Sequence, residues 1–223
     1  ESNFLVVSHF DADGLAAAGV VGKALARLDA SMHLKVVKQL DDDVLSECRS
    51  EDSDVTIFTE IGSGYLDAIR NGFAGKKTII LDHHQPSGRL DPEFVHVNPH
   101  SFGFDGATEV SGAGIAYFVA RSLADSNVDL STLAVVGALG DMQDKRTKRS
   151  LHGLNENIVE DALKKGLLET ATDLVFYGRE TRPIHRALAY TTSPFLPDIS
   201  GEEDKCLALL ASIGIQVKRE DKW

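Results

Sequence analysis

Short apolar runs separated by polar clusters dominate the first hundred residues. Phe4-Leu5-Val6-Val7-Ser8, Leu34–Val37, Val55–Phe58 and Thr78–Leu81 are brief and rich in β-branched or aromatic side chains, which predicts strands. Between them, the small-residue stretch Leu15–Leu28 and the segments Asp43–Arg49 and Tyr65–Asn71 read as helices. Strands alternating with helices build a parallel sheet, and uninterrupted apolar runs suit strands covered on both faces. Past Val95-His96-Val97-Asn98-Pro99 the pattern turns helical, over Ser111–Leu123, Ser131–Leu139, Asn155–Lys165, Ile184–Tyr190 and Glu202–Ile213, with Ile215-Gln216-Val217 as a last candidate strand. The expected fold is α/β: a mainly parallel sheet flanked by helices, with a mostly helical C-terminal part packed around it. Residues 1–150 are expected to form the domain core, and 151–223 a helical extension of the same domain.

No apolar run approaches the length that spans a bilayer, so no membrane partner is expected. With 34 acidic and 23 basic residues the net charge is −11, which opposes non-specific attraction to a phosphate backbone. Nucleic-acid binding must then come from local basic groups or bound metal. Cys48 and Cys206 both fall in helical stretches without metal-type spacing, which suits a reducing cytoplasm. The chain starts Glu-Ser-Asn-Phe, without a methionine, and reads as an excised piece.

Four clusters carry chemistry. His9-Phe10-Asp11-Ala12-Asp13-Gly14 follows the first strand; its two carboxylates either converge on a hard cation or serve as loop acids and helix caps. Glu60 stands beside the glycine-rich turn Gly62-Ser63-Gly64 after the third strand, a weak signal by itself. Asp82-His83-His84 follows the fourth strand; one histidine is suited to a metal and the other to a phosphate, with Asp82 fixing a tautomer. Asp141 lies after an apolar helix, with Asp144 as a helix-terminal acid. Open α/β sheets bind ligands outside the carboxyl ends of their strands, where these groups gather. Several acids and histidines without cysteine favour Mn²⁺ or Mg²⁺ over structural zinc.

His9-Phe10-Asp11-Ala12-Asp13-Gly14, the turn at Glu60, Asp82-His83-His84 and Gly140-Asp141 resemble, in order and spacing, the four motifs of DHH phosphoesterases. The segment from Gly178-Arg179-Glu180-Thr181-Arg182-Pro183 to Trp223 resembles the archaeal RecJ-like branch, whose members associate with the GINS replication complex. The resemblance implies a DHH domain holding two Mn²⁺ ions, with Mg²⁺ the alternative. Its ligands would be Asp11, Asp13, Glu60, His83 and Asp141, with His9 added, and His84 a phosphate contact. The smaller DHH-associated domain that normally faces this one is not found in the sequence. Family members usually have aspartate where this chain has Glu60; the extra methylene is large against the ~0.2 Å tolerance of metal–ligand distances.

The function so implied is that of a RecJ-like single-strand-specific exonuclease acting in DNA replication or repair. The competing readings are a GINS-binding replisome scaffold that has lost hydrolysis and a small-substrate phosphoesterase acting on short oligonucleotides, cyclic dinucleotides or pyrophosphate. Candidate substrate contacts are backbone N–H groups at Ser111, Gly112 and Gly114 and the guanidinium groups of Arg179 and Arg182, against the plainer readings of a capped helix and surface salt bridges. Lys145, Arg146, Lys148 and Arg149 form a basic run past Asp141.

Overall fold

The computed structural model describes residues 2–145 and 149–217; Arg146 and Lys148 of the basic run, and Trp223, lie outside them. Two compact units divide the chain, Glu1–Glu169 and Thr170–Trp223. The first therefore extends beyond residue 150, and the C-terminal residues form a unit of their own where an extension of the same domain was expected.

In the first unit the strands are β1 (Asn3–His9), β2 (Ser31–Val37), β3 (Val55–Thr59), β4 (Lys77–Leu81) and β5 (Val95–Val97). They make one five-stranded sheet in the order β2-β1-β3-β4-β5, with every pairing parallel. This is the doubly wound order whose ligand crevice opens where β1 and β3 lie side by side. The helices are α1 (Ala12–Ala26), α2 (Asp42–Ser50), α3 (Leu66–Phe73), α4 (Gly112–Leu123), α5 (Ser131–Gly140) and α6 (Leu154–Lys164).

Alternation along the strands divides the core in two. Val6, Ile57 and Leu81 pack under α1 and α4 with Val20, Ala113 and Tyr117, whereas Leu5, Val7, Phe58 and Ile80 face Leu45, Ile69 and Phe73 of α2 and α3. Continuous apolar character predicts full burial for β1 and β3, and both are largely buried. It fails for β2, an edge strand that exposes Leu34 and Val36.

The second unit holds α7 (Ile184–Tyr190) and α8 (Glu203–Ser212) around a separate small core of Leu188, Ala189, Cys206 and Leu210. Ile215-Gln216-Val217 is not a strand; the Ile215 N–H closes the end of α8 on the Leu210 carbonyl at 2.9 Å. Cys48 and Cys206 are free and buried. Among the described residues no helix is long and apolar enough to cross a membrane.

Candidate metal centre

Three of the four clusters leave the sheet at the carboxyl ends of neighbouring strands. After β1, Asp11 caps α1 by accepting from the Gly14 N–H at 2.8 Å, and Asp13 lies buried in the first helical turn. After β3, Glu60 holds a left-handed backbone conformation (φ 60°), which strains a residue other than glycine by ~1–3 kcal/mol. Its N–H still donates to the Leu81 carbonyl at 2.8 Å, so the chain turns without leaving the sheet hydrogen bonds and the carboxylate is buried. After β4 come Asp82 and His83, both buried, and His84, about half exposed. The fourth contribution, Asp141, is not at a strand end but at the C-cap of α5.

His83 is the hub. Its Nδ1 lies 2.7 Å from the Gly106 carbonyl; a carbonyl only accepts, so Nδ1 carries a proton and Nε2 is the ring nitrogen that faces inward. That Nε2 is 3.9 Å from Asp13 Oδ2, 3.7 Å from Glu60 Oε1 and 3.8 Å from Asp141 Oδ2. Glu60 also reaches the other way, with Oε2 3.3 Å from His9 Nδ1, which itself lies 2.9 Å from Asp11 Oδ2. Two ligand groups result, Asp13 with His83 and Asp141, and His9 with Asp11 and Glu60; a third, Glu60 with His83 and His84, links them.

Two observations test whether cations fit. His83 Nε2 and Glu60 Oε2 are buried with no hydrogen-bond partner, a costly state for polar atoms unless something else satisfies them. The donors are carboxylate oxygens and imidazole nitrogens, the set that suits Mn²⁺ and Mg²⁺. The residues fit the ions.

Titration directions report the same crowding. Burial alone would push the His83 imidazole down, but the Glu60 and Asp13 carboxylates and the Gly106 carbonyl outweigh it and raise it to about 10. Burial raises Glu60 to about 7, helped by Asp11 and Asp13 and opposed by His83. Asp13 also rises through burial. Burial would lift Asp82 too, yet its bond to His84, the charge there and the Ser63 N–H hold it at about 2.

Asp13 accepts from the Gly112 N–H at 2.6 Å and the Ala113 N–H at 3.0 Å, so its carboxylate sits on the positive end of α4. Gly114 N–H is taken by the capping hydroxyl of Ser111. The Gly112 and Gly114 N–H groups expected to meet a substrate are thus engaged inside the protein, by Asp13 and by the Ser111 hydroxyl, which is the capped-helix alternative. The glycines serve close approach: a Cβ at Gly112 would lie 2.5 Å from Glu60 Cγ, and one at Gly137 2.2 Å from Asp13 Oδ1.

His84 Nδ1 lies 2.8 Å from Asp82 Oδ1, while Asp82 Oδ2 accepts from the Ser63 N–H at 2.7 Å. Asn98, just after β5, ties this arm down by donating to the His84 carbonyl and to Ser63 Oγ, both at 2.9 Å. Sequence reasoning missed Ser63 and Asn98, and also Gln143 and Asn155, which support Asp141. Gln143 stands in the Gly140–Asp144 cluster, but its role depends on contacts with distant residues.

In the second unit Arg179 is paired with the carboxylates of Asp173 and Glu180, the surface salt-bridge alternative. The Arg182 guanidinium stacks between the rings of Tyr177 and Tyr190, 5.0 and 4.9 Å from their centroids.

Residues 3–140 match the DHH family, N-terminal domain, and residues 176–223 match the DHH-CID domain. The chain belongs to the DHH family. Within it, the domain is RecJ-like: it is 26% identical over 225 residues to the single-stranded-DNA-specific exonuclease RecJ of Thermus thermophilus, covering 92% of this chain and 32% of that protein. An uncharacterized protein of Methanocaldococcus jannaschii is 35% identical over 222 residues, covering 96% of this chain and 49% of the relative. The chain thus spans about half the length of one curated relative and about a third of the other.

Among solved structures the fold matches exonuclease RecJ bound to manganese, with a TM-score of 0.59 and 20% identity over 96% of this chain and 57% of that one. It also matches CDC45 from Entamoeba histolytica, with a TM-score of 0.67 and 13% identity over 96% and 48%. At these identities the likeness is one of fold.

Proposed function

We propose that the chain hydrolyses phosphodiester bonds with two divalent cations, Mn²⁺ or Mg²⁺, as a RecJ-like exonuclease specific for single-stranded nucleic acid. One observation carries the reading: His83 Nε2 and Glu60 Oε2, buried and without a hydrogen-bond partner, stand among Asp13, Asp141, His9 and Asp11. Asp13, His83 and Asp141 would hold one ion and His9, Asp11 and Glu60 the other, with Glu60 near enough to both sets to bridge.

Bound cations would supply positive charge at the phosphoryl oxygens and acidify the attacking water. The protein's own contribution is placement. His84 keeps its Nδ1 on Asp82, which leaves Nε2 for the substrate. The hydrogen bond to Asp82 raises the His84 pKa and favours the imidazolium, a proton donor to a phosphoryl or leaving oxygen.

The test is metal content by mass spectrometry after incubation with Mn²⁺, paired with digestion of a labelled single-stranded oligonucleotide by the full chain. Two equivalents of metal and release of nucleotides support the proposal; intact oligonucleotide at saturating Mn²⁺ refutes it. A dinucleotide run in parallel separates strand digestion from the small-substrate reading. The scaffold reading draws on the DHH-CID match and the CDC45-like fold, and requires GINS binding without metal uptake. The complete ligand set weighs against it.

A further inference from the structure

A groove of about 410 Å³ opens at the cluster, lined by His9, Glu60 and His84 from within it and by Lys38, Tyr65 and Gln85 from outside. That volume lies in the range of small-ligand sites, roughly 300–1,000 Å³. Its walls come from the segments that follow β1, β2, β3 and β4, so it straddles the carboxyl edge of the sheet where β1 and β3 adjoin.

Lys38 is the one lysine or arginine in this lining, directly after the edge strand β2. It is exposed and makes no ion pair among the described residues, although Glu60 and Asp82 line the same groove. An ammonium left uncompensated beside an acidic centre is available to an anion. Tyr65 adds a partly exposed ring, 37% accessible, whose hydroxyl makes no hydrogen bond among the described residues. Gln85 adds an exposed amide with donors and acceptors for a base edge. A phosphate-seeking ammonium, an aromatic face and an amide in one groove match a nucleotide better than a bare phosphate.

We propose that this groove is a nucleotide subsite, in which Lys38 binds the phosphate next to the scissile one and Tyr65 stacks on the base attached to it. The assignment rests on the hydrolytic reading and names its substrate as a nucleotide chain with at least two phosphates. Stacking accepts every base, so little sequence preference should arise here.

Calorimetric titration of the full chain with deoxyadenosine 5′-monophosphate and with inorganic phosphate, with and without Mn²⁺, tests the subsite. The expected result is tighter binding of the nucleotide than of phosphate. Lys38→Gln should weaken both by roughly tenfold, and Tyr65→Ala should remove only the nucleotide's advantage, which Tyr65→Phe retains. Both positions are exposed, so the variants should keep the wild-type circular dichroism. Nucleotide binding no tighter than phosphate, or unchanged in Lys38→Gln and Tyr65→Ala, overturns the subsite. Turnover of bis(p-nitrophenyl) phosphate, which has no second phosphate or base, reports the cation chemistry separately. Should both this ester and the oligonucleotide stay intact while nucleotide binding follows the expected pattern, the hydrolytic reading falls and the groove stands as a nucleotide site without a scissile phosphate beside it.

Discussion

Gln143 Nε2 donates to the Asp141 carboxylate at 2.9 Å and, at the same distance, to the Gly106 carbonyl that also accepts from His83. One carbonyl therefore orients residues on both sides of a ligand pair. The Gln143 amide cannot be flipped, because its nitrogen faces only acceptors, including the Val110 carbonyl at 3.3 Å. Its oxygen then accepts from Asn155 Nδ2 at 2.6 Å, which carries the support into α6.

Gln143→Leu should accordingly lower Mn²⁺ affinity about 10–100-fold, the usual effect of losing a group that orients a ligand. It also strands the buried Asn155 amide, at a cost of about 1–3 kcal/mol. Calorimetry and chemical denaturation read the two effects separately, and wild-type metal affinity in a folded variant would remove the positioning role.

Asp82→Asn should act differently. It keeps the shape but trades the carboxylate for an amide, whose single oxygen can accept from His84 Nδ1 or from the Ser63 N–H but not from both and carries no charge to hold an imidazolium. The rate of hydrolysis should therefore drop about 100-fold while metal content stays near wild type. Metal loss equal to the activity loss would place Asp82 among the ligands' supports.

Metal affinity should rise with pH. In the free protein Glu60 titrates at about 7 and His83 at about 10, both above their ordinary values, and each must give up its proton to bind a cation. Protons compete with the metal below these values, so affinity should increase from pH 6 to pH 9, with proton release at pH 8 arising mainly from His83. Titrations in buffers of different ionisation enthalpy count the protons; affinity independent of pH contradicts the assignment.

Gly112→Ala introduces a Cβ 2.5 Å from Glu60 Cγ and 2.7 Å from its Cβ. Overpacking of this kind costs about 1–3 kcal/mol and should push Glu60 out of reach of one ligand group. The expected outcome is a lower melting temperature together with fewer than two bound metals per chain.

The strands covered on both faces were legible because burial demands continuous apolar residues, and β1, β3 and β4 lie within one or two residues of their expected bounds. The edge strand β2 was located but its exposure was not foreseen, since Leu34 and Val36 look no different in a chain from buried residues. The acids and histidines of the candidate site were legible as chemistry clustered after strands. What the sequence left hidden depends on long-range partners: Asp13 claiming the N–H groups of α4, and Gln143 with Asn155 bracing Asp141. The boundary at Glu169 was hidden for the same reason, because α6 belongs with α5 only through packing.

The docking of Asp13 on the first turn of α4 is held by protein groups, the helix dipole and two backbone donors that clamp the carboxylate. A chelator should consequently strip the ions while far-ultraviolet ellipticity and the cooperativity of melting persist. Loading is then a reversible event on a finished scaffold, unlike the metal-driven collapse of a zinc finger.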